Sequence, residues 1–249
     1  MGAILAGSAL LTLSFQVADA QERSIKFSGR EWIVKDGSRM GPGPNEWSRS
    51  CVWVDSDGRL HMKIAQIDGK WRCAEVTSKE KFGFGRIQFQ VAGRIDKLDK
   101  NVVLGLFTYP TPDVGADGTN EIDIEFARWG RPAAPNGNFT VWPPIKGHKQ
   151  GAHVFEFALD GEDTTHRIVW QSRSILFQSL NGLRDDDHHE ISRFAFQPTD
   201  YSDAIPQKPV PLHINLWLFR GNAPSDGKEV EIIIKSVTFT PILSGTETK

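Results

Sequence analysis

A chain of 249 residues with 39 % hydrophobic content can bury the core of one large all-β domain or two small ones, and nothing in its composition divides it. The formal net charge of −2 excludes a global basic field for holding nucleic acid or anionic lipid. Eight Trp, 15 Phe, 23 Gly and 14 Pro suit a chain of strands and turns.

The N-terminus is an uninterrupted apolar run, AILAGSALLTLSFQV, followed by the small-x-small pattern Ala18-Asp19-Ala20. It reads as a secretory signal over residues 1–20, with the mature chain beginning near Gln21 and residues 21–249 forming a single domain. The run falls short of the roughly 20 residues a membrane span needs, and polar sequence follows at once. No Lys or Arg precedes it, which points to a start codon further upstream, and a retained N-terminal anchor is the alternative to export. The expected location is extracellular or periplasmic, with no membrane contact once the signal is cleaved.

Beyond the signal, short β-patterned runs are separated by turn residues, with no amphipathic helix and no internal repeat. CVWV, the turn Asp55-Ser56-Asp57-Gly58 and RLHMKIA read as a hairpin, and IDGK introduces a third strand, WRCAEVTS. The only two cysteines, Cys51 and Cys73, lie on neighbouring predicted strands, so in an exported protein a disulfide between them is expected, two buried free thiols being the alternative. No CxxC and no His at ligand spacing supports zinc there. Further strands are predicted at GRIQFQVAGR, NVVLGLFTY, NEIDIEF, GNFTVW, AHVFEFAL, THRIVWQ, SILFQSL, LHINLWLF and VEIIIKSVTFT. Loops are predicted at MGPGPNEW, TPDVGADGT, RPAAPNG and IPQKPVP. So many antiparallel-looking strands with polar connections favour two stacked sheets over a parallel α/β arrangement.

One of these strands carries chemistry. In NEIDIEFARWG, Glu121, Asp123 and Glu125 alternate with Ile122, Ile124 and Phe126, the period of a strand buried on one face. The three carboxylates then share a face at spacings of about 7 Å, where like charges repel and raise the proton affinity of at least one. A wet strand face is the ordinary reading of such a pattern, but no Lys or Arg is interleaved, and Arg128 and Trp129 follow directly. Hydrolysis of a glycosidic bond with retained configuration needs a nucleophilic carboxylate and a protonated carboxyl. Glu121 and Glu125 are candidates for that pair. Their Cα atoms would lie roughly 13 Å apart on a straight strand, so the two side chains must lean together over a twisted, concave sheet. Asp123 between them could orient the nucleophile and help keep a proton within the row.

These residues resemble those of the family 16 glycoside hydrolases, β-jelly-roll enzymes that include lichenases, laminarinases, agarases, carrageenases and xyloglucan transglycosylases. EIDIEF is similar to the family's E-x-D-x-E motif in its form without an inserted residue. KFGFGRIQFQV resembles the Y-G-Y-G strand, THRIVWQSRSILFQSLNG the H-x-Y-x-x-x-W, I-x-F and D-G strand pair, and LHINLWLFRG the M-N-L-W strand, all in family order. The resemblance implies a β-sandwich jelly roll of two curved antiparallel sheets, with Glu121 as nucleophile, Asp123 as its helper and Glu125 as acid/base. It also implies substrate contacts for Glu75, Trp142, Asn215 and Trp217, indole faces suiting the C–H faces of pyranose rings and Glu and Asn reading hydroxyls. Trp129, beside the acid strand, is a further substrate-binding candidate.

The sequence departs from the family at Thr119 and Asn120, where lichenases carry an aromatic, at Thr77, where an arginine is usual, and throughout NVVLGLFTY. The implied function is a secreted, retaining endo-β-glycosidase acting on a β-glucan-like polysaccharide. Transglycosylation, or a non-catalytic carbohydrate-binding jelly roll, are the alternatives. A polysaccharide is the expected partner and a monomer the expected state. No cofactor is required, although the family often holds a structural calcium whose residues the sequence does not identify. The run DDDHHE, residues 185–190, lacks ligand spacing and reads as a solvated loop. The sequon Asn138-Phe139-Thr140 overlaps a predicted strand, which argues against its use.

Overall fold

The computed structural model describes residues 23–242, so the expected signal at residues 1–20 lies outside the described residues. In chain order the strands are β1 (Ser24–Phe27), β2 (Arg30–Val34), β3 (Gly37–Met40), β4 (Asn45–Trp47), β5 (Val52–Val54) and β6 (Leu60–Ile67). Then come β7 (Lys70–Arg72), β8 (Ala74–Phe82), β9 (Gly85–Ala92), β10 (Val102–Thr108), β11 (Glu121–Ala127) and β12 (Gly137–Trp142). The last six are β13 (Gly151–Phe155), β14 (Asp163–Trp170), β15 (Ile175–Asn181), β16 (Glu190–Phe196), β17 (Val210–Leu218) and β18 (Val230–Pro241). The one α-helical segment among the described residues is a single turn, Tyr201–Ala204.

Two eight-stranded antiparallel sheets stack face to face. The first runs β1-β2-β8-β17-β10-β11-β12-β13, and the second runs β16-β15-β14-β9-β18-β6-β5, with β7 added beside β6. This is the expected all-β jelly-roll sandwich. Its layers follow from period-2 alternation: on β11, Ile122, Ile124 and Phe126 are fully buried between the sheets. From the other layer Ile87, Phe89, Ile168 and Phe177 fill the same core, each such side chain contributing about 1.5–3 kcal/mol by burial. The polar exception is His166 on β14, whose ring lies 4.7 Å from that of Phe126, with Thr164 Oγ1 and Ser179 Oγ at 2.8 and 2.9 Å. Burial pushes its imidazole down to about 3, so it is a neutral part of the packing beneath the acid strand.

Three expectations need correction. The predicted strand WRCAEVTS is broken: β7 pairs with β6 in the second sheet, and β8 pairs with β2 and β17 in the first. The chain crosses between sheets at Cys73, which is why that thiol sits deep in the core. Cys51 and Cys73 are therefore free thiols and form no disulfide. Cys51 Sγ faces the Arg72 carbonyl at 3.8 Å, whereas Cys73 Sγ donates to Asn45 Oδ1 at 3.5 Å. The loop read at MGPGPNEW in fact holds half of a small hairpin, β3 with β4, pinned by Trp47 Nε1 donating to the Met40 carbonyl at 3.0 Å.

The DDDHHE run packs on the outer face of the second sheet. There the fully buried Arg167 guanidinium donates to Asp187 at 2.6 Å, to Gln88 at 2.7 Å and to the Arg184 carbonyl at 2.7 Å. Asp187 thus neutralises an arginine. Among the described residues no group of three or more His, Cys, Asp or Glu is placed to hold a metal, so no side chains can be named for a calcium ion. No described helix is long and apolar enough to cross a membrane.

Candidate active site

The site is assembled by strand order. β17, next to last in sequence, inserts between β8 and β10, so residues far apart in the chain stand level across five strands. Glu121 lies opposite Trp142, Asp123 opposite Thr140 and Phe107, and Glu125 opposite Asn138 and Gly105. Continuing outward, Gly105 faces Asn215, Phe107 faces His213 and Val103 faces Trp217, while Asn215 in turn faces Glu75. The alternation that buries Ile122 and Ile124 turns all three acids to the opposite face, where a cleft of about 620 Å³ is lined by Glu121, Glu125, Glu75, Trp142, Asn215 and Trp217.

Within the row, Asp123 is 3 % exposed and takes a hydrogen bond from Trp142 Nε1 at 2.8 Å on Oδ2. Its Oδ1 is sealed from solvent and no donor reaches it, the condition under which a carboxyl keeps its proton. Burial first, then the charges of Glu121 and Glu125, pushes Asp123 well above the usual carboxylate range. Burial and the Glu125 charge push Glu121 up to about 8, and burial pushes Glu125 up to about 7 against a weak bond from Asn138 Nδ2 at 3.5 Å. At neutral pH the row therefore carries fewer than three negative charges. A carboxyl that stays protonated can donate a hydrogen bond, and Asp123, the most enclosed, is the member placed to do so toward Glu121.

The glycine opposite Glu125 has a steric reason. A Cβ at Gly105 would overlap Asn215 Oδ1, an oxygen that is itself buried without a partner. The missing side chain leaves room for the Asn215 amide and the Glu125 carboxyl on either side.

Along β8 and β17, Glu75 is buried and ionised. Burial opposes its charge, but His213 and Lys35 outweigh it and hold the carboxyl below its ordinary value. Lys35 Nζ donates to Glu75 Oε2 at 3.0 Å and to the Gly41 carbonyl at 2.6 Å, and stands 4.2 Å over the Trp47 ring. His213 Nδ1 lies 3.4 Å from Glu75 Oε1 and 3.1 Å from Thr77 Oγ1. A cation from β2's end thus stands beside Glu75 although Thr77 supplies none. Phe107 and Tyr109, from the strand that departs most from the family pattern, pack with His213 at centroid distances of 5.1 and 5.7 Å and line the cleft with it.

Sequence reasoning missed Lys35, Gly105, Phe107, Tyr109, Asn138 and His213. His213 had a readable signal, because His213, Asn215 and Trp217 alternate along one strand as the three acids do. Trp129 is placed otherwise than expected: it does not line the cleft. Its ring packs 6.3 Å from Trp217 and 5.6 Å from Phe219, and it lines a neighbouring pocket of about 700 Å³. The turn Arg128-Trp129-Gly130, with φ of 51° at Trp129 and 75° at Gly130, carries the indole past the end of the acid face.

Comparison with known proteins gives the same outline. The model of the family described as "Glycosyl hydrolases family 16" matches residues 44–232. No curated protein is similar enough in sequence to match. Among solved structures, a β-glucanase of Bacillus licheniformis superposes with a TM-score of 0.60 at 23 % identity, covering 85 % of this chain and 92 % of that one. A family 16 enzyme of the Bacteroides ovatus mixed-linkage glucan system, in complex with its G4G4G3G product, gives 0.64 at 16 % identity, over 84 % and 94 %. A β-1,3-glucanase of Mycobacterium marinum gives 0.62 at 18 % identity, over 90 % and 92 %. The structural likenesses, all below 25 % identity, speak for the fold alone. The family match spans most of the chain and contains the acid row with Glu75, Gly105, Trp142, Asn215 and Trp217, so this protein belongs to glycosyl hydrolase family 16 and is a glycoside hydrolase.

Proposed function

We propose that the enzyme is a secreted, retaining endo-β-glycosidase that cuts a polysaccharide lying across the first sheet. The observation that carries this reading is the row itself: three carboxyls on one strand, facing one cleft, with proton affinities raised by burial and by each other. Glu121 attacks the anomeric carbon as a carboxylate, the glycosidic C–O bond breaks, and the leaving oxygen takes the Glu125 proton. Glu125 then removes a proton from water, whose oxygen displaces Glu121 from the sugar, and both residues return to their starting states. Burial and mutual repulsion raise the proton affinity of the row as a whole. A proton kept on Asp123 and donated to Glu121 favours Glu121 as the carboxylate and leaves Glu125 as the acid, and Trp142 fixes Asp123 for that task.

Glu75 and Asn215 present acceptors and donors for sugar hydroxyls, and the rings of Trp142, Trp217, Phe107 and Tyr109 present apolar faces for pyranose stacking. An open cleft floored by a sheet suits internal sites of a polymer. The test is proton NMR of the reducing end released from β-linked polysaccharides by wild type and by Glu121→Gln. We expect the β-anomer to form first with wild type, and at least a thousandfold slower release by the variant. An α-anomer appearing first, or undiminished turnover by Glu121→Gln, would remove the proposal. Products longer than the starting oligosaccharide in the same reactions would assign transfer to a sugar acceptor.

A further inference from the structure

The pocket next to the cleft is built unlike the cleft. Lys100, Arg131 and Arg220 line it together with Asn101, Trp129 and Phe219, and no carboxylate does. Among the described residues none of the three cations forms an ion pair. Asp99, the nearest acid in sequence, is turned to Ser225 and to the Asn101 amide. Arg220 stands 5.1 Å over the Phe219 ring, and the Lys100 charge acts on Asp99 without forming an ion pair with it. On a protein with a net charge of −2, three cations without an ion pair around one depression form a local anion trap.

The pocket is also shaped and held. Trp129 and Arg220 both adopt left-handed backbone, with φ of 51° and 57°, and non-glycine residues are kept in that region only where the surroundings enforce it. Here the enforcing bonds are the Gly130 amide to the Lys100 carbonyl and the Phe219 amide to the Asn101 carbonyl, both 2.7 Å. Asn101 Nδ2 also donates to the Ala223 carbonyl at 2.8 Å. The two depressions share a wall, because Trp217, which lines the cleft, packs 6.3 Å from Trp129 and 6.4 Å from Phe219, which line the pocket. A glycan stacked on Trp217 has a continuous aromatic surface leading to the cations.

We infer that this pocket is a subsite for an anionic sugar residue, bearing a carboxylate or an ester sulfate, of the polymer cut in the cleft. The inference rests on the proposed function and narrows its substrate class. Acids line the cleft itself, namely Glu75, Asp117, Glu121 and Glu125, so an acidic residue is disfavoured at the scissile position and favoured beyond Trp217. The substrate is then a mixed polymer, neutral where it is cut and acidic nearby. Guanidinium forks suit either oxyanion by paired hydrogen bonds, and the indole and phenyl faces suit the ring that carries it.

The test uses the full chain carrying Glu121→Gln, which binds without consuming. Affinity is measured for a soluble β-glucan, for the same glucan partly oxidised at C6 to carboxylate, and for the same glucan partly sulfated. Measurements are repeated in Lys100→Gln/Arg131→Gln/Arg220→Gln, whose thermal transition should match the parent because all three side chains reach solvent and none is in an ion pair. We expect one acidic derivative to bind about tenfold more tightly than the neutral glucan, with the advantage lost in the triple variant and at high salt. Which derivative gains decides between carboxylate and sulfate. Equal binding of neutral and acidic glucans, or a preference that survives the triple substitution, overturns the subsite. If an acidic glucan binds as expected but wild type releases no reducing ends from it, the hydrolytic reading fails while the subsite stands. If no glycan binds, both fall.

Discussion

A carboxyl that keeps its proton at neutral pH costs the folded state something, and the acid row makes that cost measurable. In the unfolded chain Glu121 and Glu125 ionise near pH 4.3, whereas folding moves them up to about 8 and about 7. Between those values the folded protein holds protons the unfolded chain has lost. The contribution of these groups is therefore full below about pH 4 and declines as pH rises through the folded values. Glu121→Gln removes one titrating member while keeping its shape. The difference in unfolding free energy between variant and wild type should move in the variant's favour, by a few kcal/mol, as pH rises from 5 to 8. Taking the difference cancels groups that titrate alike in both proteins, including His166, whose lowered value works the opposite way and withdraws stability as pH falls below about 6.5, whereas Asp123 and Glu125 respond to the lost charge and are part of the effect. Denaturant melts of the two proteins across this range decide it, and a pH-independent difference would mean that the row takes up no extra proton on folding.

At the scale of strands, what was legible depends on how local the cause is. The acid strand could be read because side-chain direction alternates with period 2, so Glu121, Asp123 and Glu125 had to share a face and Ile122 and Ile124 the other. The insertion of β17 between β8 and β10 could not, because nothing local in LHINLWLF says which strands it joins. For the same reason nothing in NVVLGLFTY singles out Gly105, whose purpose appears only when Asn215 and Glu125 flank it. The break of WRCAEVTS at Cys73 was hidden likewise: apolar alternation continues through it while the pairing partner changes sheets. Gly105→Ala tests the arrangement of β10. Its methyl group must displace the Asn215 amide, and a displacement of that size at a site of oriented groups costs about a hundredfold in kcat/KM. Overpacking should also cost about 1–3 kcal/mol of stability. Asn215→Ala in the same background removes the overlap and should return the stability but not the activity, as seen by thermal melts beside initial rates. Activity unchanged by Gly105→Ala would show that β10 leaves room for a methyl group beside Asn215.

For the molecule as a whole, the question is what holds the two sheets together. Two cysteines on adjacent predicted strands of a chain proposed to be exported invite a covalent answer, since oxidising compartments favour disulfides. The sandwich answers it by packing instead. Both sheets contribute fully buried aliphatic and aromatic side chains to one core, and Cys51 and Cys73 are members of that core with exposures of 1 % and 0 %. Burial pushes their thiols up to about 11 and about 12, so almost no thiolate exists at neutral pH to attack an oxidant or another thiol. Neither cysteine should therefore react with a soluble disulfide reagent while the protein is folded, and both should react once guanidinium has unfolded it. The melting temperature should also be the same with and without a reducing agent, because there is no cross-link whose removal would free the unfolded chain. A melting temperature that drops under reduction, or fewer than two thiols released on unfolding, would show that a covalent bond and not the packed interface fastens this part of the sandwich.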